Sequence, residues 1–357
     1  MGCTIMFTPT LRALRQKFPE AKITFLGTTR SFVEPVAGSN LVDEVLVFDF
    51  AKTSLFNLGK LGPRLKMIRE LRRRRFDYSL TVFPSNKWFF NVFAWLAGAK
   101  KRLTHRYSTP AIKTLAGLQN VRIPADPKLH DVDQNMNLLK PFDLKIPQAE
   151  RRLFFHTFPK NEIWAEDFCR RNSLVGKSIV GMHIGSSKDF SFAAKRWPLE
   201  RFAKLSDKIQ HELKMPVLVF AGPDEKDEVR ELLKLTRIKP LVVTESLKNA
   251  AALIKKCRCF ISSDTGLMHV AVAMDTPVVA IFGPTSISRT RPYSKKTALI
   301  FDPTYPANWA YPFSATSAKI KNQKKFRCWQ NITVDRVMTA VRKMIRMKHD
   351  LSDSTNQ

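Results

Sequence analysis

SSDTGLMHVAVAMDTPVVAIFGPTS, residues 262–286, reads as the end of a buried strand, a loop, a helix and a second strand. The preceding run RCFISS (258–263) is apolar and strand-length, LMHVAVAM (267–274) suits a helix, and PVVAIFG (277–283) is again short and apolar. A strand, a helix and a strand at this spacing predict parallel neighbours in an α/β sheet. Asp264, Thr265 and Gly266 then fall where the helix begins, and unpaired backbone N–H groups with the helix dipole favour an anion there. Gly266 lets backbone approach such a group closely, Thr265 adds a hydroxyl, and His269 lies on the helix face above the same spot. The residue types leave a second reading open, with Asp264 as a helix cap and His269 as a satisfied interior histidine.

Working outward, the same alternation starts near residue 160. Helix IWAEDFCRRN (163–172), strand SIVGMHIG (178–185), helix PLERFAKLSDKIQHEL (198–213) and strand PVLVFAG (216–222) come first. Helix DEVRELLKL (227–235), strand PLVVTE (240–245) and helix LKNAAALIKKC (247–257) then lead into the opening stretch. Ligands of open parallel sheets collect at the carboxyl ends of strands. Three further loops belong to that edge. FGPTS (282–286) carries Gly283 and Thr285, HIGSSKDFSFAAKRWP (183–198) carries Ser186, Ser187 and Lys195, and GPDEKDE (222–228) carries Asp224 and Glu225. Lys195 offers a fixed positive charge for a leaving diphosphate, or else a solvated lysine. Asp224 and Glu225 can accept hydrogen bonds from a ribose or base, or else form the acidic first turn of a helix.

The first half alternates less clearly. A helix is expected over 10–18, strands over 21–28, 43–50 and 76–84, and helices over 61–75, 88–99 and 129–142. The start, MGCTIMFTPTLRALRQKFP, resembles the loop and helix that follow a first strand, with no strand before them, which fits either a domain that has lost its first strand or a start assigned too late. It lacks the charged and apolar regions of a secretory signal. The apolar run WFFNVFAWLAGA (88–99) is too short to span a bilayer and contains Asn91. Domains are therefore expected at 1–160 and 161–330, with a closing helix at 331–348 and a frayed tail at 349–357.

The chain has 357 residues, enough for two α/β domains with a cleft between them. Sixty Lys and Arg against 31 Asp and Glu give a formal charge of +29, a field that attracts polyanions. That charge is spread through RELRRRRF (69–76), AKKRLTHR (99–106) and KIKNQKKFR (319–327) rather than gathered in one arm, and no nucleic-acid motif accompanies it. Five scattered cysteines without a CxxC unit indicate neither a disulfide framework nor a zinc site, and fit a reducing cytoplasm.

With these pieces in view, the chain resembles glycosyltransferase family 9, the ADP-heptose:lipopolysaccharide heptosyltransferases. The resemblance rests on TPTLRALRQKFPEAKITFLGT, LHDVDQNMNLL, AKRWPLERFAKL, FAGPDE, the opening stretch and FRCWQNITVDRVMTAV. It implies a GT-B fold, two Rossmann-like domains facing across a cleft, here with the first strand of the amino-terminal domain missing. It also implies inverting, metal-independent transfer of heptose or a related sugar from an ADP-sugar to inner-core lipopolysaccharide, with no cofactor. Asp264, Thr265, Gly266 and His269 would grip the donor phosphates, joined by Lys195. Arg102 and Arg106 are candidates for acceptor phosphates. The partners would be the nucleotide sugar, a lipid A/core acceptor and the anionic inner-membrane surface, at the cytoplasmic face.

The amino end departs from the family pattern. Relatives carry Gly-Asp there, the Asp being the proposed general base, whereas this chain has Gly2-Cys3, followed by Pro9 in the expected place. A thiol is mostly protonated near neutral pH and makes a poor substitute. The KRWP loop is also longer than usual, and of the family's tail cysteines only Cys328 is kept. Three readings follow: an active transferase, a paralogue that binds nucleotide sugar or glycolipid without transfer, and a basic nucleic-acid-binding protein.

Overall fold

A computed structural model of the chain describes residues 1–48, 61–85, 87–107, 111–185, 195–305 and 327–353. The chain divides into two compact units, Met1 with Cys3–Arg152 and Gly2 with Leu153–Gln357. Both are α/β, and every described strand pairing is parallel.

The first unit runs α1 (Gly2–Lys17), β1 (Thr24–Gly27), α2 (Arg30–Val33), β2 (Glu44–Val47), α3 (Leu61–Arg73), β3 (Tyr78–Leu80), α4 (Trp88–Leu96), β4 (Lys101–Arg106), α5 (Ala111–Thr114), β5 (Val121–Pro124) and α6 (Asp131–Met136). The second continues with α7 (Pro159–Arg171), β6 (Val180–His183), α8 (Leu199–Glu212), β7 (Val217–Phe220), α9 (Lys226–Leu235), β8 (Leu241–Val243), α10 (Leu247–Lys256) and β9 (Cys259–Ser263). It closes with α11 (Gly266–Ala273), β10 (Val278–Ile281), α12 (Ile287–Thr290), β11 (Thr297–Ile300) and α13 (Val334–Asp353).

The second unit holds a six-stranded sheet in the order β11-β10-β9-β6-β7-β8. Its four middle strands are buried along their whole length, which is why they read as unbroken apolar runs. Val337, Val341 and Met344 of α13 join the same core and are 0% exposed, each stabilising the fold by roughly 1.5–3 kcal/mol. The closing helix, set apart by sequence, is thus packed into the second unit.

In the first unit the described strands pair as β1-β2 and as β3-β4-β5. Helix α1 begins at Gly2, well before the expected residue 10, and passes through Pro9. Proline has no N–H to give the carbonyl four residues back. Thr8 compensates, its hydroxyl donating to the Ile5 carbonyl at 2.6 Å. Strands β4, β5 and β11 were not expected from sequence. Lys101, Arg102 and Arg106 disguise β4 as a charged surface, although Leu103, Thr104 and His105 between them are buried. The run 88–99 forms α4, with Asn91 buried and its Nδ2 donating to the Thr114 carbonyl. No helix among the described residues is long and apolar enough to cross a membrane.

Candidate functional site

Strands β6, β7, β9 and β10 are parallel neighbours, so the loops that leave them share one sheet edge. On that edge Thr265 is the residue before α11 and has extended backbone, φ −138° and ψ 171°. Its hydroxyl lies 3.0 Å from the Ser262 hydroxyl, and no side chain caps the helix. Thr265 makes no side-chain hydrogen bond to the start of α11, and amides at a helix start favour an anion.

Asp264 is not the cap. Its carboxylate accepts a hydrogen bond from Lys195 Nζ at 2.8 Å, and the two side chains are only 6% and 15% exposed. Burial on its own would raise the Asp264 pKa and is the largest influence on it. The Lys195 charge and hydrogen bond, followed by His269 and the Thr285 hydroxyl, outweigh burial and hold the carboxyl below its usual range. Asp264 is thus a buried anion that keeps an ammonium at the mouth of α11, and His269, 3% exposed, lies close enough to contribute. The structure brings together Lys195, Asp264, Thr265, Gly266, His269 and Thr285. Ser186 and Ser187 lie outside the described residues.

Other expected residues have scaffolding contacts. A Cβ on Gly283 would lie 2.3 Å from Trp329 Cζ2, so its bare face is filled by the indole of the closing segment. Glu225 is 6% exposed, and its Oε2 accepts from the Gly222 amide at 2.8 Å. Its Oε1 lies 3.6 Å from His183 Nε2, in space that a Cβ on Gly185 would claim. Glu225 therefore ties the loop after β7 to the end of β6, while Asp224 beside it is exposed. Arg102 and Arg106 sit at opposite ends of β4, about 13 Å apart by strand rise. Arg102 spends its guanidinium on the carbonyls of Ala99 and Leu118, whereas Arg106 is exposed at the carboxyl end. Cys3 lies in the first turn of α1 and is half-buried.

Several positioning contacts were not foreseen. Arg196 donates to Glu228 Oε1 at 2.6 Å, and Trp197 Nε1 donates to the Ile332 carbonyl at 3.0 Å. Arg201 reaches the same Ile332 carbonyl at 2.7 Å. The residues that follow Lys195 are thereby fastened to α9 and to the closing segment. Arg289, 3% exposed on α12 just beyond the Thr285 loop, adds a buried cation with no period or motif to announce it.

Residues 64–310 match the model of glycosyltransferase family 9 (heptosyltransferase). Lipopolysaccharide heptosyltransferase 2 of Escherichia coli is 33% identical over 317 residues, covering 84% of this chain and 85% of that protein. Lipooligosaccharide heptosyltransferase 2 of Campylobacter jejuni is 22% identical over 356 residues, covering 98% and 97%. Among solved structures, a family 9 glycosyl transferase from Veillonella parvula aligns with a TM-score of 0.78 at 21% identity, covering 97% of this chain and 95% of that one. E. coli ADP-heptose lps heptosyltransferase II aligns with a TM-score of 0.73 at 21% identity, covering 97% and 96%. The chain belongs to glycosyltransferase family 9, the heptosyltransferase family.

Proposed function

We propose that the protein transfers heptose, or a related sugar, from an ADP-sugar to the inner core of lipopolysaccharide, with inversion and without a metal. The observation that carries this reading is the part-buried Lys195–Asp264 pair beside the start of α11, where Thr265 makes no side-chain cap. A departing diphosphate develops negative charge as the sugar–oxygen bond breaks, and fixed donors in a dry site stabilise that charge without reorganising. Lys195, the first amides of α11, the Thr265 hydroxyl and His269 are such donors. Asp264 positions Lys195 through the 2.8 Å hydrogen bond. Arg106 is assigned to acceptor phosphates, and the +29 charge suits work at an anionic leaflet. The test is incubation with ADP-heptose and a heptose-deficient core acceptor, reading transfer by mass. Absence of transfer together with absence of ADP-heptose binding overturns the reading.

Cys3 favours a second reading, in which donor binding persists without transfer. A thiol in the first turn of a helix is a poor proton acceptor for an acceptor hydroxyl. Cys3→Asp separates the two. A large gain in transfer identifies the base as the one lost element, whereas unchanged donor binding with no transfer supports the binding-only protein.

A further inference from the structure

Arg12 and Gln16 lie one turn apart on α1 and therefore share a face of the helix, with Ala13 beside them. Across from that face are Ile146, Glu150 and Arg152, from the last segment of the first unit, and the two walls enclose a cavity of about 370 Å³. Small-molecule sites run from roughly 300 to 1,000 Å³, so the space suits a small ligand. None of its lining residues belongs to the donor or acceptor assignments above. The second wall is fixed by Arg151, which stands between Glu150 and Arg152. Its Nε and Nη2 donate to the Ile146 carbonyl at 3.0 and 2.8 Å, closing 146–151 into a loop, and its Nη1 donates to Asp133 of α6 at 2.6 Å. Arg12 Nη1 reaches the Arg152 carbonyl at 3.4 Å, so helix and loop meet at the two basic residues.

Charge selects the ligand. Burial, followed by the nearby Arg152 charge, lowers the pKa of Arg12, so two guanidiniums that disfavour each other line one cavity. An anion between them turns that repulsion into two attractions. A phosphate monoester has three terminal oxygens and can take a planar fork from each arginine, whereas the two oxygens of a carboxylate are satisfied by one. The exposed Glu150 repels an anion that fills the whole cavity, but accepts hydrogen bonds from hydroxyls, and Gln16 both donates and accepts. Ala13 and Ile146 leave an apolar surface between the basic and the neutral ends.

We propose that this cavity of the first unit binds a phosphate monoester of a hydroxyl-bearing compound, such as a sugar phosphate. The phosphate lies between Arg12 and Arg152, the hydroxyls meet Gln16 and Glu150, and the carbon skeleton rests on Ala13 and Ile146. The same chemistry is offered by a free sugar phosphate and by a phosphorylated sugar headgroup on a lipid.

The test is calorimetric titration of the 357-residue protein with glucose 6-phosphate, inorganic phosphate and glucose at constant ionic strength. A parallel arm measures retention on phosphatidylcholine vesicles with and without phosphatidylinositol 4-phosphate. Glucose 6-phosphate is expected to bind more tightly than inorganic phosphate, and glucose not to bind. Arg12→Gln and Arg152→Gln should each weaken the phosphate ester roughly tenfold. Unfolding midpoints serve as the folding control, and because Arg152 is exposed its variant keeps the test open if Arg12→Gln is unstable. Glu150→Gln should tighten inorganic phosphate and narrow the preference for the sugar phosphate. Arginine-dependent binding in solution upholds the site for a free sugar phosphate, and arginine-dependent retention on the phosphoinositide vesicles alone upholds it for a lipid headgroup. Binding in neither arm, or binding that both arginine variants retain, overturns the proposal. So does displacement by ADP, which would place the phosphate in the proposed donor site of the second unit. Loss of ADP-heptose binding in the wild-type protein would count against the donor reading and leave this result unaffected.

Discussion

Lys195 and Asp264 lie 69 residues apart in the chain and 2.8 Å apart in the fold, both nearly closed to solvent. Neither charge is comfortable there alone. Lys195→Met leaves the buried Asp264 anion uncompensated and should cost about 3–5 kcal/mol in denaturant unfolding at neutral pH. Asp264→Leu added to it should restore much of that loss, because an apolar pair replaces an ionic one. Transfer should fall roughly 100-fold in Lys195→Met and should not recover in the double variant, since the charge proposed to meet the diphosphate is gone. Recovery of transfer along with stability would place Lys195 outside the donor site.

Asp264 also sets an acid limit. Its folded pKa is depressed below the unfolded value of 3.8, so the unfolded chain binds the proton more readily. Its contribution is complete above that unfolded value and is lost as pH falls through the lower folded one. Asp264→Asn should flatten the stability profile below about pH 4, as read by unfolding midpoints across that range.

His105 gives a second, milder pH dependence in the first unit. Burial lowers its pKa from 6.5 to about 4, opposed only in part by its 2.8 Å contact with the Gln134 carbonyl. The neutral ring is the folded form, so stability is full above the unfolded value and falls as pH drops towards 4. The difference corresponds to about 3 kcal/mol between those limits. His105→Gln should abolish that slope while lowering stability at neutral pH, and an imidazole resonance titrating near 6.5 in the folded protein would contradict the assignment.

Gly283 is predicted to act through packing. Gly283→Ala places a methyl against the buried Trp329 ring and should cost about 1–3 kcal/mol. Trp329→Leu should relieve the clash, so the two changes together should cost less than their sum. Additive losses would show that the methyl is accommodated elsewhere.

The hydroxyl of Thr8 should matter more because of Pro9. Thr8→Val removes the donor to the Ile5 carbonyl and should cost about 1 kcal/mol. In a Pro9→Ala background the restored amide can satisfy that carbonyl, and the cost of Thr8→Val should shrink towards zero. A double-mutant cycle by thermal unfolding measures the coupling.

The sequence by itself determined the strands of the second unit and which loop residues to propose for a site. Strands buried on both faces must be apolar throughout, so β6, β7, β9 and β10 announced themselves as runs, and the polar Asp264-Thr265-Gly266 between a strand and a helix marked the candidate site. It determined much less of the first unit. Its strands are short and partly exposed, and the charges at the ends of β4 hide three buried residues between them. What only the tertiary structure decided is which polar residues act as a group. Pairing across 69 residues turned Asp264 from a cap into the counter-ion of Lys195, and packing turned Gly283 and Glu225 into supports for Trp329 and Gly185. Such contacts depend on strand order, which places loops from distant parts of the chain on one edge, and no local period or spacing encodes that order.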